Sequence, residues 1–253
     1  MTRHLHGKTV LLTGATGSIG QAIARELAAE GARVLLHYNS NAARADALAT
    51  DLGLGAIALA ANLSDPMGPN ALWDAALAQA GHIDALINNA GVLTVSSVDD
   101  PLEAWHRAWQ GDLQLNLMAA ADLSRAAIRH FRARGGGRII NMASRAGQGG
   151  YRAEAMSYGA TKAALINLTQ SIACGFAADG ITAVAIAPGW VRTEMSESYV
   201  HTHGEDAALS GVPLGQMAEP TELAELVAFV LRPSQASLTG AVLDVNGASQ
   251  MRS

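Results

Sequence analysis

What the chain has least of narrows the field first. It holds one cysteine, Cys174, so no disulfide can close within it, and such usage suits a reducing compartment. Its 17 basic residues are outnumbered by 22 acidic ones, for a net charge of −5. No basic stripe runs along it, which argues against a nucleic-acid partner. The opening MTRHLHGKTVLLTG lacks the roughly 7–15-residue apolar core of a secretory signal. No apolar run is unbroken enough for a transmembrane helix. There is no internal repeat, low-complexity tract or interdomain linker. These absences point to a soluble, cytoplasmic protein with no nucleic-acid and no membrane partner.

What is present is apolar mass. Of 253 residues 49% are hydrophobic and 15% charged, which suffices for one core and a single domain over residues 1–253. Short apolar runs recur at 8–13 (KTVLLT), 33–38 (RVLLHY), 56–60 (AIALA), 84–88 (DALIN), 138–142 (RIINM), 181–187 (ITAVAIA) and 241–245 (AVLDV). Most are continuous rather than alternating, as in strands buried on both faces of a parallel sheet. Helical segments lie between them, including one unbroken stretch from Leu102 and another over 156–178. Several stop on glycine: Gly31, Gly81, Gly135 and Gly180. The alternation predicts an α/β fold, a doubly wound parallel sheet of the Rossmann type. Residues 194–215, EMSESYVHTHGEDAALSGVPLG, are mixed in polarity and read as a long loop serving as a substrate lid.

Residues 13–20, TGATGSIG, sit between the first predicted strand and the first predicted helix. Glycine there lets backbone approach a pyrophosphate, and the helix N-terminus offers free N–H groups. On the loop alone, a plain turn and a dinucleotide cradle fit equally. The second strand ends in HYNSN. An acid for the ribose hydroxyls of NAD is missing there, with none before Asp46. An arginine for the 2′-phosphate of NADP is missing from the strand end too, although Ser40, Asn41 or Arg44 lie near enough to meet one. The balance tilts slightly to NADP(H), with NAD(H) as the other candidate.

At 158–162 stands YGATK. Tyr158 and Lys162, at i and i+4, share a helix face. An ammonium beside a phenol favours the phenolate, so the pair predicts a tyrosine of lowered pKa that exchanges protons near neutrality. Ser144 ends the fifth predicted strand, at the edge where α/β sheets bind ligands. Its hydroxyl suits a carbonyl oxygen and equally suits a helix cap.

In chain order TGATGSIG, NNAG (88–91), Asn116 in LQLNL, Ser144, YGATK and PGWVRT (188–193) resemble the short-chain dehydrogenase/reductase family over nearly the whole chain. The resemblance implies an NAD(P)(H)-dependent oxidoreductase that interconverts a carbonyl and a secondary alcohol. Asn116, Ser144, Tyr158 and Lys162 would be its catalytic tetrad. Tyr158 would pass the proton, Ser144 hold the substrate oxygen, Lys162 bind the nicotinamide ribose and Asn116 hold a relay water. The cofactor would lie on Gly14, Thr16, Gly17, Ser18, Ile19 and Gly20 at its pyrophosphate. Tyr38, Asn39, Ser40, Asn62, Leu63, Asn89, Ala90 and Gly91 would meet its adenosine side, with Asn88 stiffening the sheet. Pro188, Gly189, Val191 and Thr193 would cradle the nicotinamide end. The family resemblance also implies a homotetramer, with the long helices at 101–134 and 156–178 forming one interface.

Three departures bear on substrate and reaction. The loop is spelled TGxxGxxG rather than TGxxxGxG, a spelling shared with sugar-nucleotide epimerases and dehydratases, which are kept as an alternative together with a non-catalytic dinucleotide sensor or scaffold. Ser144 and Tyr158 are 14 apart where 13 is commoner. PLGQMAEP (213–220) resembles a segment of the 3-oxoacyl-carrier-protein reductases, yet the two places where those carry arginine for an acyl carrier protein are Gly135 and Cys174 here. Arg132, Arg134 and Arg138 stand near the first. A small carbonyl or alcohol, such as a sugar acid, polyol or ring alcohol, is therefore preferred over a carrier protein. Arg145, Gln148 and Tyr151 are candidates for the substrate side, as is Trp190. His201 and His203 read as a solvated loop and no metal site is predicted. Trp105 and Trp109 read as packing residues, and Cys174 as a small hydrophobe rather than a nucleophile.

Overall fold

A computed structural model describes residues 3–251. Seven strands alternate with helices: β1 (Thr9–Leu12), α1 (Ser18–Ala29), β2 (Arg33–Tyr38), α2 (Ala42–Leu52), β3 (Ile57–Ala60), α3 (Gly68–Ala80), β4 (Ala85–Asn88), α4 (Leu102–Asp112), α5 (Ala119–Arg132), β5 (Gly137–Met142), α6 (Met156–Phe176), β6 (Ile181–Pro188), α7 (Glu194–His203), α8 (Glu205–Leu209), α9 (Pro220–Leu231) and β7 (Val242–Val245). Every pairing in the sheet is parallel, in the order β3-β2-β1-β4-β5-β6-β7. The order reverses at β1, which pairs with β2 on one side and β4 on the other. That reversal opens a crevice at the carboxyl ends of the strands.

Side chains alternate across the strands and feed two cores. Val10, Leu12, Val34, Leu36, Ile87 and Ile140 pack with Leu27 of α1 and Leu223 and Val227 of α9. Leu11, Leu35, Leu86 and Ile139 pack the other way, against Leu72 of α3, Phe131 of α5 and Ile172 of α6. Covering both faces is why the strands read as unbroken apolar runs. The glycine stops behave as expected: Gly31, Gly81, Gly135 and Gly180 have φ of 92°, 74°, 80° and 73°, which glycine adopts without strain.

Two elements differ from the sequence reading. The segment from Leu102 is not one helix, because a π-helical turn at Leu113–Met118 separates α4 from α5. Residues 194–215 are not a bare loop, because α7 and α8 occupy about two thirds of them. Thr193 caps α7 in a reciprocal pair with Ser196, and Tyr199 stacks on His203 one turn later with ring centroids 4.2 Å apart. Local capping and i,i+4 stacking make this helix, without the apolar periodicity that announces one in a sequence.

Candidate active site

The crevice is a single cleft of about 910 Å³. At its floor the loop after β1 leaves no room for side chains. Gly14 has φ +64°, and a Cβ there would stand 3.0 Å from Ala90 Cα; one on Gly20 would run into the Gly14 carbonyl and reach Ala15 Cα at 2.8 Å. Gly17 precedes α1 without any side-chain cap, and Gly17, Ser18, Ile19 and Gly20 line the cleft. Uncapped first-turn amides beside a glycine cradle are a fit for a pyrophosphate.

The cradle is fastened across the β1–β4 seam. Thr13 Oγ1 accepts from the backbone N–H groups of Asn89 and Ala90, both at 2.9 Å, while Asn89 Nδ2 donates to Thr13 O at 2.9 Å. Asn88 points inward instead, donating to Asn141 Oδ1 at 2.8 Å and Ser124 Oγ at 3.2 Å; Asn141 donates to Thr169 Oγ1 at 2.8 Å. This buried amide chain ties β4 and β5 to α5 and α6. His37 is a cleft residue that the sequence reading missed. Its Nδ1 accepts from Gly14 N–H at 3.0 Å and its Nε2 faces Ala61 O at 3.1 Å, so the neutral ring carries its proton on Nε2. Burial holds its pKa down at about 4. The one available signal was a polar residue inside an otherwise apolar strand.

Of the expected cofactor residues, Thr16, Asn39, Asn62, Leu63, Asn89, Ala90, Gly91, Pro188, Gly189, Val191 and Thr193 line the cleft, with the loop glycines. Tyr38 and Ser40 do not: alternation along β2 turns His37 toward the cleft and Tyr38 away. Asn41 Oδ1 caps α2 through Arg44 N–H at 3.0 Å. The Arg44 guanidinium reaches Glu194 of α7, with both terminal nitrogens 3.1 Å from Oε1.

Ser144, Tyr158 and Lys162 meet on one wall of the cleft. Ser144 follows β5; its Oγ accepts from Ala146 N–H at 3.1 Å and stands close enough to the Tyr158 hydroxyl to pull its pKa down. Lys162 Nζ donates to Met142 O at 2.8 Å and lies 5.6 Å from the centre of the Tyr158 ring. Here the expectation of a lowered tyrosine pKa fails. Burial pushes Tyr158 up to about 12, the Ser144 hydrogen bond opposing it and the charges of Tyr151 and Asp112 adding to it. Burial likewise brings Lys162 down to about 8, with Asp112 opposing. In this cleft desolvation outweighs the pairing that sequence spacing suggested.

Asn116 sits on the π turn, where such turns often mark functional sites. Its side chain is fully used: Oδ1 accepts from Val92 N–H at 2.8 Å, and Nδ2 donates to Val92 O at 2.9 Å and Thr161 Oγ1 at 3.2 Å. The side chain therefore fastens the NNAG loop to α6. A second missed residue is Asp112, fully buried at the end of α4. It accepts from Thr94 Oγ1 at 2.6 Å and from Ser157 Oγ at 2.7 Å, beside Tyr158. Nothing in a helical run ending in Gly-Asp marks that carboxylate as internal.

Beyond Tyr158 the cleft is walled by Arg145, Tyr151, Arg152, Glu154, Trp190, Tyr199 and His203. Trp190 packs on Tyr199 at 4.9 Å between centroids, and Tyr151 on Tyr158 at 6.0 Å. Gln148 is turned to Asp244 instead. No group of three metal-ligating side chains occurs among the described residues, and no helix among them is long and apolar enough to cross a membrane. Cys174 is exposed on α6, whose inward face is carried there by Ile172 and Ala173. Trp105 and Trp109 pack on each other at 5.5 Å.

Comparison with known proteins gives a consistent picture. A family model described as enoyl-(acyl carrier protein) reductase matches residues 14–248. A 3-oxoacyl-[acyl-carrier-protein] reductase of Vibrio cholerae is 35% identical, over 98% of this chain and 99% of its own. That of Escherichia coli K12 is 34% identical with the same coverage. Among solved structures, a 3-ketoacyl-(acyl-carrier-protein) reductase from Brucella melitensis complexed with NADH superposes with a TM-score of 0.86 at 29% identity, over 98% of this chain and all of that one. A protein from Beutenbergia cavernae, assigned as an NAD(P)-dependent gluconate 5-dehydrogenase and holding NADP at low occupancy, superposes at 0.89 and 30% identity, over 98% of this chain and 99% of that one.

Proposed function

The chain belongs to the short-chain dehydrogenase/reductase family of NAD(P)(H)-dependent carbonyl/alcohol oxidoreductases, and we propose that Tyr158 is its proton carrier, with Ser144, Lys162 and Asn116 around it. The observation that carries this reading is the convergence of Ser144, Tyr158 and Lys162 on one wall of the cleft whose floor is the glycine cradle. A bound nicotinamide dinucleotide supplies or accepts the hydride. The chain's own groups do the rest. Ser144 holds the substrate oxygen by a hydrogen bond, and Tyr158 delivers a proton to that oxygen or withdraws one. A phenol held near pKa 12 stays protonated at neutral pH, which suits it as the acid in carbonyl reduction. Lys162 carries positive charge next to the phenol and steadies the phenolate left behind. Asn116 acts by positioning, through its two-way pairing with Val92. Helix α7 serves as the lid.

NADP(H) is the preferred cofactor. Strand β2 itself ends on Tyr38, with Asn39 next, without a carboxylate, and Arg44, just past it on α2, is held by an exposed ion pair with Glu194. The substrate is a small molecule rather than a carrier protein. Arg132 is engaged by Asp179, and Arg138 by the carbonyls of Val230 and Pro233, so of the three arginines near Gly135 only Arg134 stays free for an acidic partner. A homotetramer through α4, α5 and α6 fits the exposed Leu102 of α4, Leu113 and Met118 of the π turn that joins α4 to α5, and Met156 of α6.

The test is a fluorescence titration with NADPH and NADH, followed by turnover of Tyr158→Phe. Tighter NADPH binding, weakened by Arg44→Ala, supports the cofactor assignment; equal or tighter NADH binding overturns it. Tyr158→Phe is expected to lower kcat by about 10²–10⁴-fold with NADPH affinity kept. Near-wild-type turnover of that variant would remove Tyr158 from the mechanism.

A further inference from the structure

We propose that the substrate carries a carboxylate and that Arg145 and Arg152 hold it, an inference that rests on the oxidoreductase reading above. Both arginines line the cleft that also holds Tyr158 and the glycine cradle. Arg145 directly follows Ser144. Arg152 follows Tyr151, whose ring lies 6.0 Å from that of Tyr158.

The two side chains are built as open donors. Elsewhere Arg33, Arg44, Arg132, Arg138, Arg192 and Arg232 each donate to a carboxylate or a carbonyl. Neither Arg145 nor Arg152 hydrogen-bonds its guanidinium to any described residue, although neither is fully exposed. Arg152 Nε is buried without a hydrogen-bond partner and forms only a loose ion pair with Glu154 Oε1 at 3.5 Å, which leaves the two terminal nitrogens of the guanidinium unbonded. The guanidinium of Arg152 is meanwhile fixed between two rings, 4.9 Å from the centre of Tyr199 and 5.4 Å from that of Tyr151. Ring contacts hold its faces and leave its N–H edges to bind. A planar fork of that kind matches a carboxylate with two parallel hydrogen bonds.

Charge points the same way. The chain is net negative, at −5, yet this wall sets two cations against one carboxylate, Glu154. The other acid on the cleft, Glu194, is taken by Arg44. One positive charge is left over on this wall. The class this wall fits is a small oxo acid and the matching hydroxy acid. In reduction the ketone carbon gains a hydride from the reduced dinucleotide, which is thereby oxidised. The ketone oxygen gains the Tyr158 proton, and the carboxylate leaves unchanged.

The test uses a series of short oxo acids beside their methyl esters and the phosphate monoesters of matched oxo alcohols. Turnover is read with NADPH, and binding to the protein–NADP⁺ complex is read by calorimetry. The inference expects the acids to exceed their esters at least tenfold in kcat/KM. In Arg145→Gln/Arg152→Gln that ratio falls toward one, through an increase of KM of about 10–100-fold, with NADPH affinity unchanged as the control for folding. Esters turned over as well as acids, or a ratio that survives both substitutions, would overturn the carboxylate site and leave the oxidoreductase reading intact. Preference for the phosphates would overturn the carboxylate assignment in the same way. Acids that bind in an arginine-dependent manner without turnover of any series would keep the site and sink the oxidoreductase reading. Neither binding nor turnover of any member would overturn both.

Discussion

Replacing Lys162 by methionine is expected to cost activity and, near neutral pH, to make the protein more stable. The residue is only 4% exposed, and its ammonium makes one hydrogen bond, to Met142 O at 2.8 Å. Burial moves its pKa from the usual 10.5 to about 8. The folded value therefore lies below the unfolded one. Between pH 8 and 10.5 the unfolded chain keeps a proton that the folded chain has released, so wild-type stability rises with pH across that window. Below pH 8 the burial penalty is present in full, about 3 kcal/mol. Methionine carries no charge to bury, but it leaves the Met142 carbonyl without its donor, at a cost of about 1–2 kcal/mol. The nucleotide-free variant should then exceed the wild type by about 1–2 kcal/mol at pH 7. Urea unfolding at pH 7.0 and 9.5, at one protein concentration, measures both differences. The wild type should gain about 2 kcal/mol on the variant between them. The chain has only one other lysine, Lys8, and what titrates in common cancels in the difference. A variant less stable than wild type by the same margin at both pH values would refute the argument.

Two further outcomes follow from other parts of the site. Gly20→Ala places a methyl against the backbone of Gly14 and Ala15, which cannot rotate aside, so the loop must shift; NADPH binding by calorimetry should weaken by about tenfold or more, and unchanged affinity would mean that the loop has slack. Asp112→Asn removes a negative charge that raises both the Tyr158 and the Lys162 pKa, so both limbs of the kcat/KM–pH profile should move to lower pH. The variant should also lose about 1–2 kcal/mol, since an amide nitrogen cannot accept from the second of the Thr94 and Ser157 hydroxyls. A profile that stays in place would reduce Asp112 to a packing role.

How far the sequence could be read depended on whether the signal was local. The strands, the glycine stops and the strand–loop–helix cradle are local patterns, and they stand where expected. Tyr158 and Lys162 share a helix face because spacing alone dictates it. What escaped depends on burial or on through-space partners. The tyrosine pKa has the opposite sign because a sequence shows the lysine four residues away and not the loss of water around the pair. His37 and Asp112 are polar residues in apolar surroundings, and only the fold brings Gly14 to one and Ser157 to the other. The π turn at 113–118 hides within ordinary helix-forming residues. Helix α7 escaped because its ends are fixed by a capping pair and an aromatic stack rather than by an apolar stripe.

The seam between β1 and β4 has a consequence for how the molecule comes into being. With every pairing parallel, no two strands can zip together as a hairpin, and each pairing must wait for an intervening crossover. Val10 with Ala85 is the pairing that spans the longest stretch of chain, so its loop carries the largest closure entropy in the sheet. The strands β3-β2-β1 and β4-β5-β6-β7 are two segments that can each assemble before it closes. Thr13 and Asn89 fasten that last join, and the cleft lies directly over it. A nascent chain with both halves formed but the seam open has no cradle, so the site becomes available to its nucleotide only when the whole sheet is complete.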